Sequence, residues 1–222
     1  MKRISFLLWI LIIPLLLLLE ATGEYRIISA AIVVLALLPF FLRFEGSRPR
    51  ALEIVLIAVL TALNVALRIL FSPLPFFKPV TALIILSALV FGSETGFLIG
   101  ALSALLSNFY FGQGIWTPWQ MFAWGLVGAL SGTAKGILDF EKPLLYICMI
   151  LLGIFSAFLY AGIMDLQTVF FIENRFHLPR FLAVAGASFT FTLVHMAANV
   201  VFLTVFGGAV LRIFKRIQSK YI

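Results

Sequence analysis

The sequence predicts an all-α fold, a polytopic membrane bundle of helices, and three observations carry that prediction. Of 222 residues, 63% are apolar and only 11% are charged, against about 45–50% and about 25% in soluble domains. Mean hydropathy is +1.16, an excess that a globular core of this size could hide only behind a largely apolar surface. Apolar runs of membrane-crossing length, about 20 residues each, follow one another along most of the chain. Eight crossings use roughly 160 residues and leave roughly 60 for connections, so no separate soluble domain fits. The same composition excludes disorder.

The runs place helices at about 4–19, 25–43, 51–71, 79–92, 95–111, 117–137, 143–163 and 182–212. The first follows Met1-Lys2-Arg3 in the manner of a signal peptide. However, Glu20-Ala21-Thr22-Gly23 offers no small-x-small cleavage pattern and a second run begins almost at once, so it reads as a retained helix. The third run carries Ala58, Ala62 and Ala66 at every fourth position, a ridge that lets another backbone approach closely. At 100° per residue, Asn64 and Arg68 share a different face of that helix. The fourth run is too short for a full span and must be tilted, broken or shielded by neighbours. Gly92, Gly96 and Gly100, then Gly128, Gly132 and Gly136, repeat the small-residue spacing, and ordinary contact between neighbouring helices is their simplest reading.

The stretch from Ser107 to Met121, SNFYFGQGIWTPWQM, is the most distinctive. Gly112 and Gly114 permit a tight turn, and Pro118 suits the first turn of a helix with Thr117 as its N-cap. Gln120 and Trp124 follow on one face. Tyr110, Trp116, Trp119 and Trp124 could form a headgroup belt. Belts are scattered over many helices, whereas these aromatics crowd one loop among Asn108, Gln113 and Gln120, a composition that points to a pocket for a bulky, partly apolar organic ligand. In the last run His195 and Asn199 stand at i, i+4. Polar groups inside a bilayer face the bundle interior or a cavity, so this pair serves either a ligand or a helix–helix hydrogen bond. Arg68, near a helix end, either binds or snorkels to the headgroups.

Basic residues divide unequally between the two sides. Lys2, Arg3, Arg43, Arg48, Arg50, Lys135, Lys142, Arg212, Lys215, Arg216 and Lys220 fall on one side, and Arg26, Lys78, Arg175 and Arg180 on the other. The positive-inside rule then puts both termini in the cytoplasm of a multi-pass cell-membrane protein. The outer connections are 20–24, 72–78, 111–117 and 164–181, and Asp165, Glu173, Arg175, His177 and Arg180 are expected to be solvated in the last of them. The net charge of +7 belongs to these loops, because no basic cluster is long enough for a nucleic-acid footprint. The lone Cys148 can form no intrachain disulfide. Catalytic signals are weak in the sequence: no HExxH, P-loop or GxSxG occurs, His177 and His195 have no nearby HExxH or paired membrane carboxylates, and neither a catalytic residue nor a metal site is expected.

These residues together resemble the substrate-binding S component of an energy-coupling factor (ECF) vitamin transporter. The resemblance covers about 50–215 and rests on the Ala58–Ala62–Ala66 ridge, the short helix from Pro79 and the Asn108–Met121 loop. It implies a six-helix binding core over 50–222, with two extra N-terminal transmembrane helices over 1–45 that depart from the pattern. It further implies that the alanine ridge docks on a transmembrane T component, and that loops 72–78, 111–117 and 164–181 gate a pocket open to the outside. Two cytoplasmic ATPases in partner chains would use ATP, and this chain would hold no cofactor and topple to deliver its cargo. The FGQGIWTPWQMFAWG stretch is similar to cobalamin-type S components. Another heterocycle, such as a queuosine precursor, would also suit Trp and Gln, and a membrane enzyme or assembly factor remains the competing class.

Overall fold

The computed structural model describes residues 51–135 and 143–221, with scattered helical positions between 35 and 46. The expected helices at 4–19 and 25–43 therefore lie outside the described residues, apart from positions such as Leu37, Phe41 and Phe44. Gly136 lies outside them too. Six helices with defined bounds follow: α1 (Ala51–Leu70), α2 (Val80–Phe91), α3 (Ser93–Phe111), α4 (Trp116–Gly132), α5 (Pro143–Glu173) and α6 (Leu178–Tyr221). Three of them, α1, α5 and α6, are long and apolar enough to cross a membrane. No strand occurs among the described residues, in keeping with a polytopic helical membrane bundle.

The short α2 forms the axle of the bundle. At 12 residues it rises only about 18 Å, well short of a hydrocarbon layer of about 30 Å. Every residue from Val80 to Val90 is buried, as expected of a helix apolar all round. It touches all five other helices, and the remainder form an incomplete ring in the order α1, α3, α4, α5, α6. Between α1 and α6 the ring stays open as an apolar groove of about 360 Å³, floored by Ala82, Leu83 and Leu86. At its C-terminal end α2 receives Lys135 Nζ on the Phe91 carbonyl at 3.0 Å and Gln218 Nε2 on the Val90 carbonyl at 2.8 Å. The ends of α2, α4 and α6 thus meet on one side, with Lys135, Arg212, Lys215 and Arg216.

Two glycine stripes bring α3 and α4 together. A Cβ on Gly96 would stand 2.9 Å from the Gly128 carbonyl oxygen, and one on Gly128 would stand 2.1 Å from that of Gly96. Gly100 meets the Trp124 backbone and Gly132 that of Ser93 in the same way. The expected intramolecular role of the glycine repeats is what these contacts realise. Ala58, Ala62 and Ala66, by contrast, are exposed on α1, beside exposed Val55, Val59 and Leu63. Ala58 also lines a cavity shared with Phe41 and Phe44, so residues of the N-terminal region pack at one border of this ridge.

The largest departure from expectation is the α5–α6 hairpin. Helix α5 continues past 163 to Glu173, and α6 runs for 44 residues from Leu178 instead of 182–212, about 66 Å. The expected loop 164–181 shrinks to a turn at 174–177. Asn174 closes α5 in the left-handed region at φ 52, its N–H donating to the Phe170 carbonyl at 3.1 Å, the usual single-bond helix stop. Polar residues misled the sequence reading because their side chains are satisfied within the helices. Thr168 bonds the Met164 carbonyl, Arg180 pairs with Glu173 at 2.6 Å, and Asp165 is buried against Ser188. Helix α4 begins at Trp116 and stops at Gly132 rather than 137. Thr117 does not cap it as expected; its hydroxyl lies inside the first turn, accepting from Gly114 N and donating to Gln113.

Candidate functional site

The site begins with the polar face of α1. Asn64 and Arg68 are one turn apart and face α3, where Ser103, Ser107 and Asn108 present hydroxyls and an amide at matching helical spacing. Asn64 Nδ2 donates to Ser103 Oγ at 3.0 Å. The Arg68 guanidinium donates to Ser107 Oγ and to Asn108 Oδ1, the latter at 2.9 Å. Its side chain is only 8% exposed, so it does not snorkel. A buried guanidinium is tolerated only when its donors are used and its charge is faced by polarisable groups. Here Arg68 Cζ lies over the Phe111 and Trp124 rings, 4.6 Å and 4.8 Å from their centroids, within cation–π range.

From Asn108 a relay of amides crosses the bundle. Asn108 Nδ2 donates to Thr117 Oγ1 at 3.1 Å and to Gln120 Oε1 at 2.8 Å, and Gln120 Nε2 donates to the Tyr160 hydroxyl oxygen at 2.7 Å. Tyr160 stacks on Trp124, with centroids 5.2 Å apart and planes at 26°, and meets His195 edge-on at 5.4 Å. His195 Nε2 is 2.8 Å from Thr81 Oγ1 at the head of α2. Side chains from all six helices therefore join one contiguous cluster of cation, amides, hydroxyls and stacked rings. Two buried atoms in it, Trp124 Nε1 and Asn64 Oδ1, have no hydrogen-bond partner.

The cluster lies just beneath the end of the bundle that carries the 72–78 and 112–115 connections. Phe111, about one-third exposed, is held between Arg68 on one side and Lys78 Nζ at 4.8 Å. Burial lowers the pKa of the Lys78 ammonium, and the nearby Arg68 charge lowers it further. Thus Phe111 covers the guanidinium and links it to the 72–78 connection through Lys78.

Sequence reasoning and structure agree on part of the aromatic stretch only. Asn108, Gln120 and Trp124 enter the cluster with Asn64, Arg68 and His195. Trp119 is buried but packs on Phe170, 5.9 Å between centroids, in a separate apolar patch. Tyr110 is exposed, Trp116 lies across Gly114, and Gln113 folds back on the Leu105 carbonyl at 2.9 Å. Gln113 is nonetheless tied to the cluster by accepting from Thr117 Oγ1 at 2.9 Å, and Tyr110 meets Phe111 edge-on at 5.0 Å. Asn199 Nδ2 bonds the Gly153 carbonyl at 2.9 Å, which makes its visible task the α5–α6 crossing. Tyr160, Thr81, Ser103, Ser107, Phe111 and Lys78 belong to the site and were not anticipated. A weak signal existed for Tyr160, which sits two turns along α5 from Gly153 and so shares its inward face. Among the described residues no three His, Cys, Asp or Glu side chains gather as metal ligands.

Neither a curated protein nor a solved structure matches the chain significantly. The family model for the S component of the ECF-type riboflavin transporter matches residues 50–212, the segment that builds α1 to α6 and the buried cluster between them. On that match the chain belongs to the family of ECF-type riboflavin transporter S components, the substrate-binding subunits of ECF importers.

Proposed function

We propose that this chain captures a flat, hydrogen-bonding heteroaromatic vitamin of the flavin class from outside the cell. The observation that carries this reading is the Trp124–Tyr160 ring stack beside Arg68, Asn108 and Gln120. Rigid rings recognise a planar heterocycle at little ordering cost, while amides and a guanidinium match its ring carbonyls and N–H groups. Trp124 Nε1, a buried donor without a partner, suits a ligand carbonyl. The name of the matching family points the same way. A corrinoid such as cobalamin, suggested by the 108–121 stretch, is far bulkier and would have to engage the surface residues Tyr110, Gln113 and Trp116 as well.

Detergent-purified protein titrated with riboflavin and, separately, with cobalamin tests this directly. Stacking on Trp124 and Tyr160 is expected to quench flavin fluorescence at one equivalent, while cobalamin is not retained on desalting. Red protein with unquenched riboflavin would replace the flavin reading by the corrinoid one.

Delivery requires partners in this reading: a transmembrane T component and two cytoplasmic ATPases that spend ATP, with no cofactor on this chain and no chemistry done to the cargo. Both termini are cytoplasmic, following the basic residues at the ends of α4 and α6. The exposed alanines of α1 form the docking ridge, on the side of the helix away from buried Asn64 and Arg68. Ala62→Trp is therefore expected to abolish close helix approach and cut vitamin uptake at least tenfold, while the purified subunit binds its vitamin within about twofold of the parent. Ala62 is the better position than Ala58, which borders Phe41 and Phe44. Uptake and binding falling together would assign the ridge to the fold instead.

A further inference from the structure

Asp165 is the acid that the cluster leaves unexplained. It lies in the apolar α5, is 8% exposed, and receives one hydrogen bond, from Ser188 Oγ to Oδ2 at 2.9 Å. Among the described residues no cation pairs with it, and its other oxygen, Oδ1, accepts nothing. An ionisable side chain inside a membrane bundle is costly to keep and marks a site by default.

Its position says which site. On α6, Ser188 and His195 are seven residues apart, which puts them on one face and about 10 Å apart along the axis. Buried Thr192 lies between them, its hydroxyl turned back to the Ser188 carbonyl at 3.2 Å. Opposite, on α5, Asp165 accepts from Ser188 and Tyr160 meets His195 edge-on, the two flanking the α6 face from positions about 140° apart around α5. Along α6, Thr192 and Ser188, with Asp165 across from Ser188, thus form a polar seam that runs from His195 toward the 174–177 turn. The cluster has a cationic wall at Arg68, whose groups donate, and this seam ends in a carboxylate, which only accepts.

We propose that the Asp165–Ser188 seam is a second subsite that receives the hydroxyl-bearing side chain of the ligand, with Asp165 accepting hydrogen bonds from its hydroxyls. The assignment rests on the flavin reading above. It gives the two ends of the site opposite chemistry: the ring, rich in acceptors, lies toward Arg68 and Asn108, and the polyol, rich in donors, lies toward Asp165. A carboxylate accepting from hydroxyls makes a strong charge-assisted bond, so the seam would discriminate flavins by their side chain.

The test compares Asp165→Asn with the parent, using riboflavin and lumichrome, the same ring system without the polyol. Asparagine keeps the shape and can still accept from Ser188, but it removes the charge. Riboflavin is expected to bind at least tenfold more weakly to the variant while lumichrome binds within twofold of its parent value, a result that also shows the variant is folded. Unchanged riboflavin affinity would overturn the assignment, as would equal weakening of both ligands, because Asp165 would then shape the hairpin without touching the side chain. A parent protein that binds neither flavin would overturn the functional reading itself, and the subsite with it.

Discussion

Arg68→Ala is expected to weaken vitamin binding by at least about hundredfold, equivalent to about 3 kcal/mol. The guanidinium holds Ser107 and Asn108 and lies over two aromatic rings at once. Truncating one member of a buried, hydrogen-bonded charged contact costs about 2–5 kcal/mol, and here Asn108 Oδ1 would lose its donor in the site proposed to hydrogen-bond the ligand. Arg68→Lys keeps the charge but replaces the planar, weakly hydrated group whose one nitrogen serves both partners and whose carbon lies over Trp124 by a shorter, strongly hydrated ammonium, so it is expected to restore less than a tenth of the lost affinity. Asn199→Ala supplies the contrast. It removes one helix–helix hydrogen bond, worth about 1 kcal/mol, and should lower the thermal midpoint with little change in affinity. Fluorescence titration and thermal unfolding on the same preparations separate the two effects. Parent-like binding by Arg68→Ala would make the arginine a packing element and move the ligand elsewhere.

The parts of the fold legible in the sequence are those with a period or a length behind them. A short apolar run with no polar face had to be shielded, and α2 is buried from Val80 to Val90. Asn64 and Arg68 could be assigned to one face and the alanines to another because 100° per residue separates them. Gln120 and Trp124 were likewise placed together by helical spacing. The hairpin was not legible, because Asp165, Thr168, Glu173 and Arg180 read as loop residues until their partners across or along the helices are seen. Nor could the site be closed from the sequence: Gln120 and Tyr160 are 40 residues apart, and Thr81 and His195 are 114 apart. A tyrosine or threonine inside an apolar run gives no signal of its own, and which turn of one helix meets which turn of another is set by packing. Depth within the bundle is hidden in the aromatic stretch for the same reason. Crowding in sequence put Tyr110, Gln113 and Trp116 beside Asn108, and the turn at Gly112 left them on the surface.

That packing is most exacting where α3 crosses α4, and Gly128, whose added Cβ would make the tightest contact among the described glycines, is where a single methyl is expected to do the most damage. The new Cβ would stand 2.1 Å from the Gly96 carbonyl oxygen and 2.3 Å from its carbon, both backbone atoms that no rotamer change can move aside. The two helices would have to part. Overpacking a closely fitted core costs about 1–3 kcal/mol and at times more. The displacement would also reach the outer ends of the same helices, where Asn108 on α3 bonds Gln120 on α4. Gly186→Ala makes the same chemical change where nothing lies within 4 Å of the added carbon. There the helix gains up to about 1 kcal/mol from the better helix former. The expected outcome is therefore opposite in sign: a lowered thermal midpoint and weakened vitamin binding for Gly128→Ala, and an unchanged or raised midpoint with parent affinity for Gly186→Ala. If Gly128→Ala proved as stable as the parent, the α3–α4 backbone contact could not be what sets the distance between Asn108 and Gln120. The site would then owe its geometry to the side-chain relay alone.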